Sequence, residues 1–181
     1  MFAESLGRRI LVAGTPGSGK TTLAGMLGRV TGLPVIHLDR LSHTAGWTPV
    51  PADSLRERLL EVMKADGWII EGETEHGLDV RLAAADTIIY LDLNRYVCLF
   101  RLFKRMLTGG WKPREDVAPG CEDRVNRDLV RSVRWIWDFD AKHRSLTVEQ
   151  LRNLASTKKV VRLAGPAELN SFERELREHG L

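Results

Sequence analysis

The chain has 181 residues, 43% hydrophobic and 28% charged, with a net charge of +3, a balance that predicts one globular domain able to bury a core without disulfides or structural metal and excludes collagen-like and disordered classes. No apolar run reaches the ~18 residues of a membrane helix, and the apolar segment after Arg8 and Arg9 is too short for a signal peptide, so a cytoplasmic location is expected. Cys98 and Cys121 form no metal-ligand spacing, and residues 95–144 hold twelve Lys/Arg against seven Asp/Glu while the rest of the chain sums to −2, which points to a specific anionic ligand ahead of general nucleic-acid affinity.

The first apolar run, ILVAG at 10–14, predicts a strand. Leu23, Leu27 and Val30 then repeat at helical spacing, with Gly32 as the stop. PVIHLD at 34–39 predicts the second strand. Leu55, Leu59, Val62 and Met63 mark a second helix, with Ser54 and Glu57 spaced as a capping box. Strands follow at 68–72 (WIIEG) and 87–93 (TIIYLDL). Asn94 is placed to cap a helix over 95–107 that Gly109 and Gly110 end. Residues 108–121 carry three Gly, two Pro and mixed charge without period, so they are expected as a mobile loop outside the core. A helix is predicted over 124–139, a short one opened by Thr147 with Gln150, a fifth strand at 159–165, and a last helix over 171–178 before Gly180. The strands' apolar residues run together instead of alternating, as in strands covered on both faces, and the βαβ alternation predicts an α/β fold with a parallel sheet.

Gly14-Thr15-Pro16-Gly17-Ser18-Gly19-Lys20-Thr21 is a full G-x-x-x-x-G-K-[ST] between an apolar strand and a periodic helix. Polyphosphate oxygens crowd negative charge, and successive backbone N–H groups can surround them only where no Cβ blocks the approach. Gly14, Gly17 and Gly19 permit that wrapping, with Thr15, Pro16, Ser18 and Thr22 completing the segment. The helix starting near Lys20 adds its positive end, the Lys20 ammonium can reach the outer phosphates, and the Thr21 hydroxyl can ligate Mg²⁺. Nucleoside triphosphate binding is therefore expected. No N-K-x-D guanine-reading segment occurs, and the chain is short for motor or AAA-type assembly, leaving the compact kinase type that closes a lid over its donor.

GTPGSGKTT, HLDRL followed by Gly46 and Trp47, WIIEG, Arg81 before AADTIIYLD, CLFRLFKR, and R-x-D-x-x-x-G-C (Arg114, Asp116, Gly120, Cys121) together resemble the adenylate-kinase-related group labelled topology modulation proteins. The resemblance spans nearly the whole chain. It implies a three-layer P-loop kinase fold with sheet order 2-3-1-4-5 over residues 1–181, ATP as donor, a short lid over 108–123 and an acceptor-binding segment over 39–65. The D-G-F-P-R segment of adenylate kinases is replaced by Glu71-Gly72-Glu73-Thr74, so the resemblance does not extend to AMP as acceptor.

Ligands of parallel α/β sheets bind at the carboxyl ends of the strands. Asp39 is read there as orienting the attacking hydroxyl or helping to hold Mg²⁺; Asp92 is read as structural, capping the helix that follows Asn94. The resemblance gives Glu71 a water-mediated Mg²⁺ role and Arg81 an anionic group of the acceptor. It also matches Arg101 and Arg105, one turn apart, to the paired arginines that meet the donor phosphates. With Arg114 in the lid and Arg124 at the next helix start, these guanidinium forks would stabilise charge spreading over the transferred group. Trp47 is a candidate wall for the acceptor, His37 a half-buried satisfied histidine, His43 a weaker site candidate, and Cys121 lid packing. Gly165-Pro166-Ala167 corresponds to the family's adenine-side loop. Arg124, Arg127, Arg131 and Arg134 fall within about 80° on a helical wheel, and this basic stripe supports an alternative, an ATP-binding DNA-associated regulator. The leading expectation is transfer of the ATP γ-phosphoryl group to a small acceptor such as a nucleoside or nucleotide.

Overall fold

The computed structural model describes residues 6–74, 76–108, 116–121, 133–138 and 144–179. Arg114 and Arg124, with Gly109, Gly110, Trp111, Arg127 and Arg131, lie outside them.

Five strands run parallel: β1 (Arg9–Gly14), β2 (Val35–His37), β5 (Trp68–Glu71), β6 (Thr87–Leu91) and β7 (Lys159–Leu163). Their order is β2-β5-β1-β6-β7. Numbered among themselves in chain order this is 2-3-1-4-5; the extra labels belong to a separate antiparallel hairpin, β3 (His43–Thr44) and β4 (Thr48–Pro49). All of β5 and β6 is buried, which is why their apolar residues run without alternation.

Period-two side chains divide the core between the two faces of the sheet. Ile10 and Val12 join α1 (Lys20–Thr31) and α8 (Pro166–His179) through Leu23, Leu27 and Phe172. Cys98 and Leu102 of α5 (Arg95–Thr108) and Ile136, in the helical stretch 133–138 (α6), belong to the same face. On the other face Leu11, Ile70 and Tyr90 meet Leu82 of α4 (Leu78–Ala84) and Leu151 of α7 (Arg144–Leu154). A smaller cluster of Leu38, Leu55 and Leu59 joins α2 (Leu38–Ser42) to α3 (Ala52–Val62).

Several boundaries differ from expectation, each for a local reason. The second strand stops at His37 because the chain turns into α2 to bury Leu38 against α3, so Asp39 lies in the first turn of that helix. Pro51 precedes α3, its fixed φ suiting a helix entry, and Ser54 lies inside the helix, not at its cap. Asn94 does cap α5, its Oδ1 accepting from the Tyr96 N–H at 2.7 Å. Asp92 is structural in another way: its buried carboxylate accepts from Arg162 Nε of β7 at 2.8 Å. α7 starts by Arg144, ahead of Thr147. Pro166, expected in a loop, is the first residue of α8, where its missing N–H costs nothing. Among the described residues Trp68 is the buried tryptophan; Trp135 and Trp137 are 40% and 48% exposed, and the Arg95 guanidinium stands 4.6 Å from the Trp137 ring. Among the described residues no helix is long and apolar enough to cross a membrane.

Candidate phosphate-binding site

The order of the sheet reverses at β1, whose carboxyl end opens into the glycine-rich loop. α1 starts at Lys20 behind Gly19, which has φ 102° and no side-chain cap; the first turn contains no acidic residue. Its leading N–H groups are therefore left for a ligand, and the helix dipole favours a negative one. Gly17 has φ +82°, and a Cβ there would meet the Cys98 carbonyl oxygen at 2.5 Å. This glycine is demanded both by conformation and by the close passage of α5.

The Lys20 ammonium donates to the carbonyl oxygens of Gly14 and, at 3.1 Å, Thr15. The Ser18 hydroxyl is buried with no hydrogen-bond partner among the described residues. Orphaned buried hydroxyls are uncommon, and an anionic oxygen inside the loop is a partner this one can donate to. The loop thus fits a polyphosphate. Arg101 Nη1 donates to the Ser18 carbonyl oxygen at 2.7 Å, so the structure brings this arginine to the loop. Arg105 is exposed on α5.

On the β2 and β5 side, His37 and Glu71 are partners in the strand register. His37 Nδ1 and Glu71 Oε1 stand 2.8 Å apart. The hydrogen bond to Glu71 holds the His37 pKa above its ordinary value; burial opposes this, while the charges of Glu71 and Asp116 reinforce it. Glu73 Oε2 accepts the Gly14 N–H at 3.2 Å, tying the loop after β5 to the root of the glycine-rich turn. Thr21 Oγ1 donates to Asp116 Oδ2 at 3.4 Å. Asp39 is half-buried on α2, and its carbonyl oxygen lies 3.4 Å from His43 Nδ1.

Arg81 differs from its expected role. It is 1% exposed and donates from Nε to the Gly77 carbonyl oxygen at 3.1 Å and from Nη2 to that of Thr74, so it braces the loop after β5. Burial pushes its pKa down to about 10, which leaves it charged at neutral pH.

Residues 116–121, expected within a mobile loop, have a small core of their own. Val117, Ala118 and Cys121 are buried with Trp47 against them. Cys121 Sγ donates to the Thr44 carbonyl oxygen at 3.1 Å and accepts the Trp47 N–H at 3.4 Å, and the Gly46 N–H donates to Gly120 at 3.0 Å. Cys121 is packing, as expected. Trp47 has φ 58°, rare for a bulky residue, and meets His43 edge-on at 5.4 Å. Sequence reasoning left Glu73 and Asp116 without roles. Both stand in quoted motifs, and a carboxylate beside a glycine-rich turn was the available signal.

The fold and loop define a three-layer α/β domain with a five-stranded parallel sheet and a glycine-rich loop at the end of its central strand. No family model matches the chain, and no curated protein matches it. Among solved structures, the chain is similar to an unliganded sugar kinase from a Janibacter species, at 19% identity and a TM-score of 0.50, with 96% of this chain and 92% of that chain covered. A presumed kinase from Chloroflexus aurantiacus aligns at 20% identity and a TM-score of 0.49, covering 94% of this chain and 96% of that one. At 19% identity the likeness to the first is one of fold.

Proposed function

We propose that the chain is an ATP- and Mg²⁺-dependent phosphotransferase working in the cytoplasm, which moves the γ-phosphoryl group to a small acceptor such as a nucleoside or nucleotide, and that it belongs with the adenylate-kinase-related topology modulation group. The observation that carries this reading is the uncapped start of α1 at the carboxyl end of the central strand, with Lys20, Thr21 and the orphaned Ser18 hydroxyl around it. Phosphoryl transfer asks a protein mainly for placement and charge neutralisation. The segment 14–22 would bind the polyphosphate through its backbone N–H groups, those of Gly14, which bonds Glu73, and Pro16, which has none, excepted, together with the Lys20 ammonium; Thr21 would hold Mg²⁺, with Glu71 reaching it through water. The chemistry the metal would supply when bound is neutralisation of charge on the phosphate oxygens.

Arg101 lies against the loop from the α5 side and, with Arg105, Arg114 and Arg124, offers guanidinium groups to the charge that develops on transfer. Asp39 orients the acceptor hydroxyl and Trp47 walls the acceptor segment. Arg81 supports that segment by bracing the loop after β5. The alternative of a DNA-associated regulator rests on the stripe Arg124, Arg127, Arg131 and Arg134. Of these only Arg134 is described, and it pairs with Asp138 at 3.7 Å; no observation favours that reading over the first.

The test is ADP release with Mg²⁺ and ATP across nucleosides, nucleotides and sugars, against the acceptor-free rate. Stimulation by one acceptor class, lost in Lys20→Ala, is expected. Turnover undiminished in a folded Lys20→Ala protein would overturn the assignment.

A further inference from the structure

Thr21 lies in the first turn of α1 and Asp116 is 95 positions away in sequence, yet their side-chain oxygens are 3.4 Å apart. For an O–H···O hydrogen bond this is long. Two oxygens in adjacent positions around one octahedral Mg²⁺, each at about 2.1 Å, stand about 3 Å apart. The separation therefore suits joint ligation as well as it suits a hydrogen bond.

The segment that delivers Asp116 is held from behind. Val117, Ala118 and Cys121 pack with Trp47, and Cys121 and Gly120 bond to Thr44, Trp47 and Gly46. Asp116 is thus presented to α1 by a packed unit that includes the β3–β4 hairpin. Its charge is also felt at His37, which bonds Glu71, so Asp116 is linked to Thr21 directly and to Glu71 through His37. All three offer oxygen, the donor that Mg²⁺ takes. Among the described residues no three or more His, Cys, Asp and Glu side chains converge as an all-protein metal cage. Mg²⁺ in phosphoryl-transfer sites is held by one or two carboxylates together with substrate phosphates, which is the arrangement this geometry offers.

We propose that Asp116 is a metal-binding residue of this site: its carboxylate and the Thr21 hydroxyl together receive the divalent cation that accompanies the nucleotide, and the 116–121 segment, seated on the β3–β4 hairpin, is the element that brings it there. The proposal rests on the nucleotide-binding reading above. It gives the R-x-D-x-x-x-G-C motif a chemical role, in which the Asp supplies the ligand and the Gly-Cys pair anchors the segment carrying it. It also makes cation binding sensitive to the hairpin, because the contacts that seat Asp116 run through Thr44, Gly46 and Trp47.

The experiment is an Mn²⁺ titration, followed by electron paramagnetic resonance, of the protein saturated with a non-hydrolysable ATP analogue. Asp116→Asn is expected to weaken Mn²⁺ binding to the analogue complex by roughly 10- to 100-fold, while affinity for the metal-free analogue stays the same or rises as a negative charge is removed. Asp116→Ser is read in the same way, so the outcome does not hang on one variant folding, and circular dichroism melting establishes that each is native. Unchanged Mn²⁺ affinity in folded variants overturns the metal role while leaving the nucleotide-binding reading intact. A wild-type protein that takes up no nucleotide overturns both.

Discussion

Arg101 reaches from α5 to the glycine-rich loop and donates to the Ser18 carbonyl oxygen at 2.7 Å, and a Cβ on Gly19 would lie 3.3 Å from its Nη1. The guanidinium uses part of its fork on the loop, leaving donors that can face a phosphoryl group beside it. Arg101→Ala is expected to lower kcat by about 10²-fold or more, the scale of losing one donor aimed at developing charge. Arg101→Lys should recover only part, because an ammonium cannot span two acceptors. Steady-state kinetics at saturating ATP separates this from weakened binding, which would raise KM alone.

Gly17 and Gly25 make a contrasting pair. Alanine at Gly17 must adopt φ +82° and meet the Cys98 carbonyl oxygen, whereas alanine at Gly25, within α1, finds only Arg29 Nη1 at 3.7 Å. Gly17→Ala is expected to cost about 1–3 kcal/mol in denaturant unfolding. Gly25→Ala should gain about 0.5–1 kcal/mol from helix propensity. Equal effects at the two positions would show that loop geometry is not what restricts Gly17.

The pairing of His37 with Glu71 predicts a pH dependence. The folded His37 pKa is raised above the unfolded value, so the pair's contribution is complete below the ordinary histidine pKa of about 6.5 and is lost as pH rises through the folded pKa. Melting temperatures of wild type and His37→Gln in metal-free buffer should differ most near pH 5.5 and converge toward pH 8.5. A difference that widens with pH would contradict the sign.

Asp92 is almost fully buried, with a side-chain exposure of 1%, while its partner Arg162 is 43% exposed. Removing the guanidinium takes a charged partner from a buried carboxylate. Arg162→Ala is expected to cost about 2 kcal/mol in urea unfolding, below the ~3–5 kcal/mol of fully buried pairs because water reaches the arginine. Asp92→Asn should cost less, since a neutral amide can share the site without an unpaired charge.

Strands such as WIIE and TIIYL are legible in the sequence because both faces are covered and nothing polar interrupts them. The glycine-rich loop is legible because its spacing and flanking elements answer one physical demand. The end of the second strand misleads because Leu38, buried by α3, turns the chain into a helix one residue before Asp39. Arg81 misleads because a cation beside a ligand segment looks the same in sequence whether it faces solvent or two carbonyl oxygens. Residues 116–121 read as loop because their packing partners are more than 70 positions away, in the hairpin at 43–49. No local period records such a contact.

β1 has two neighbours in the sheet, β5 on one side and β6 on the other. Arg101 and α5 follow β6, whereas His37 ends β2, Glu71 ends β5 and the hairpin follows β2. Arg101 and the hairpin thus reach the glycine-rich loop from opposite flanks of one strand, so under the proposed function a change confined to the α5 flank would alter the arginine side of the site while leaving the His37–Glu71 pair and the seat of Asp116 in place.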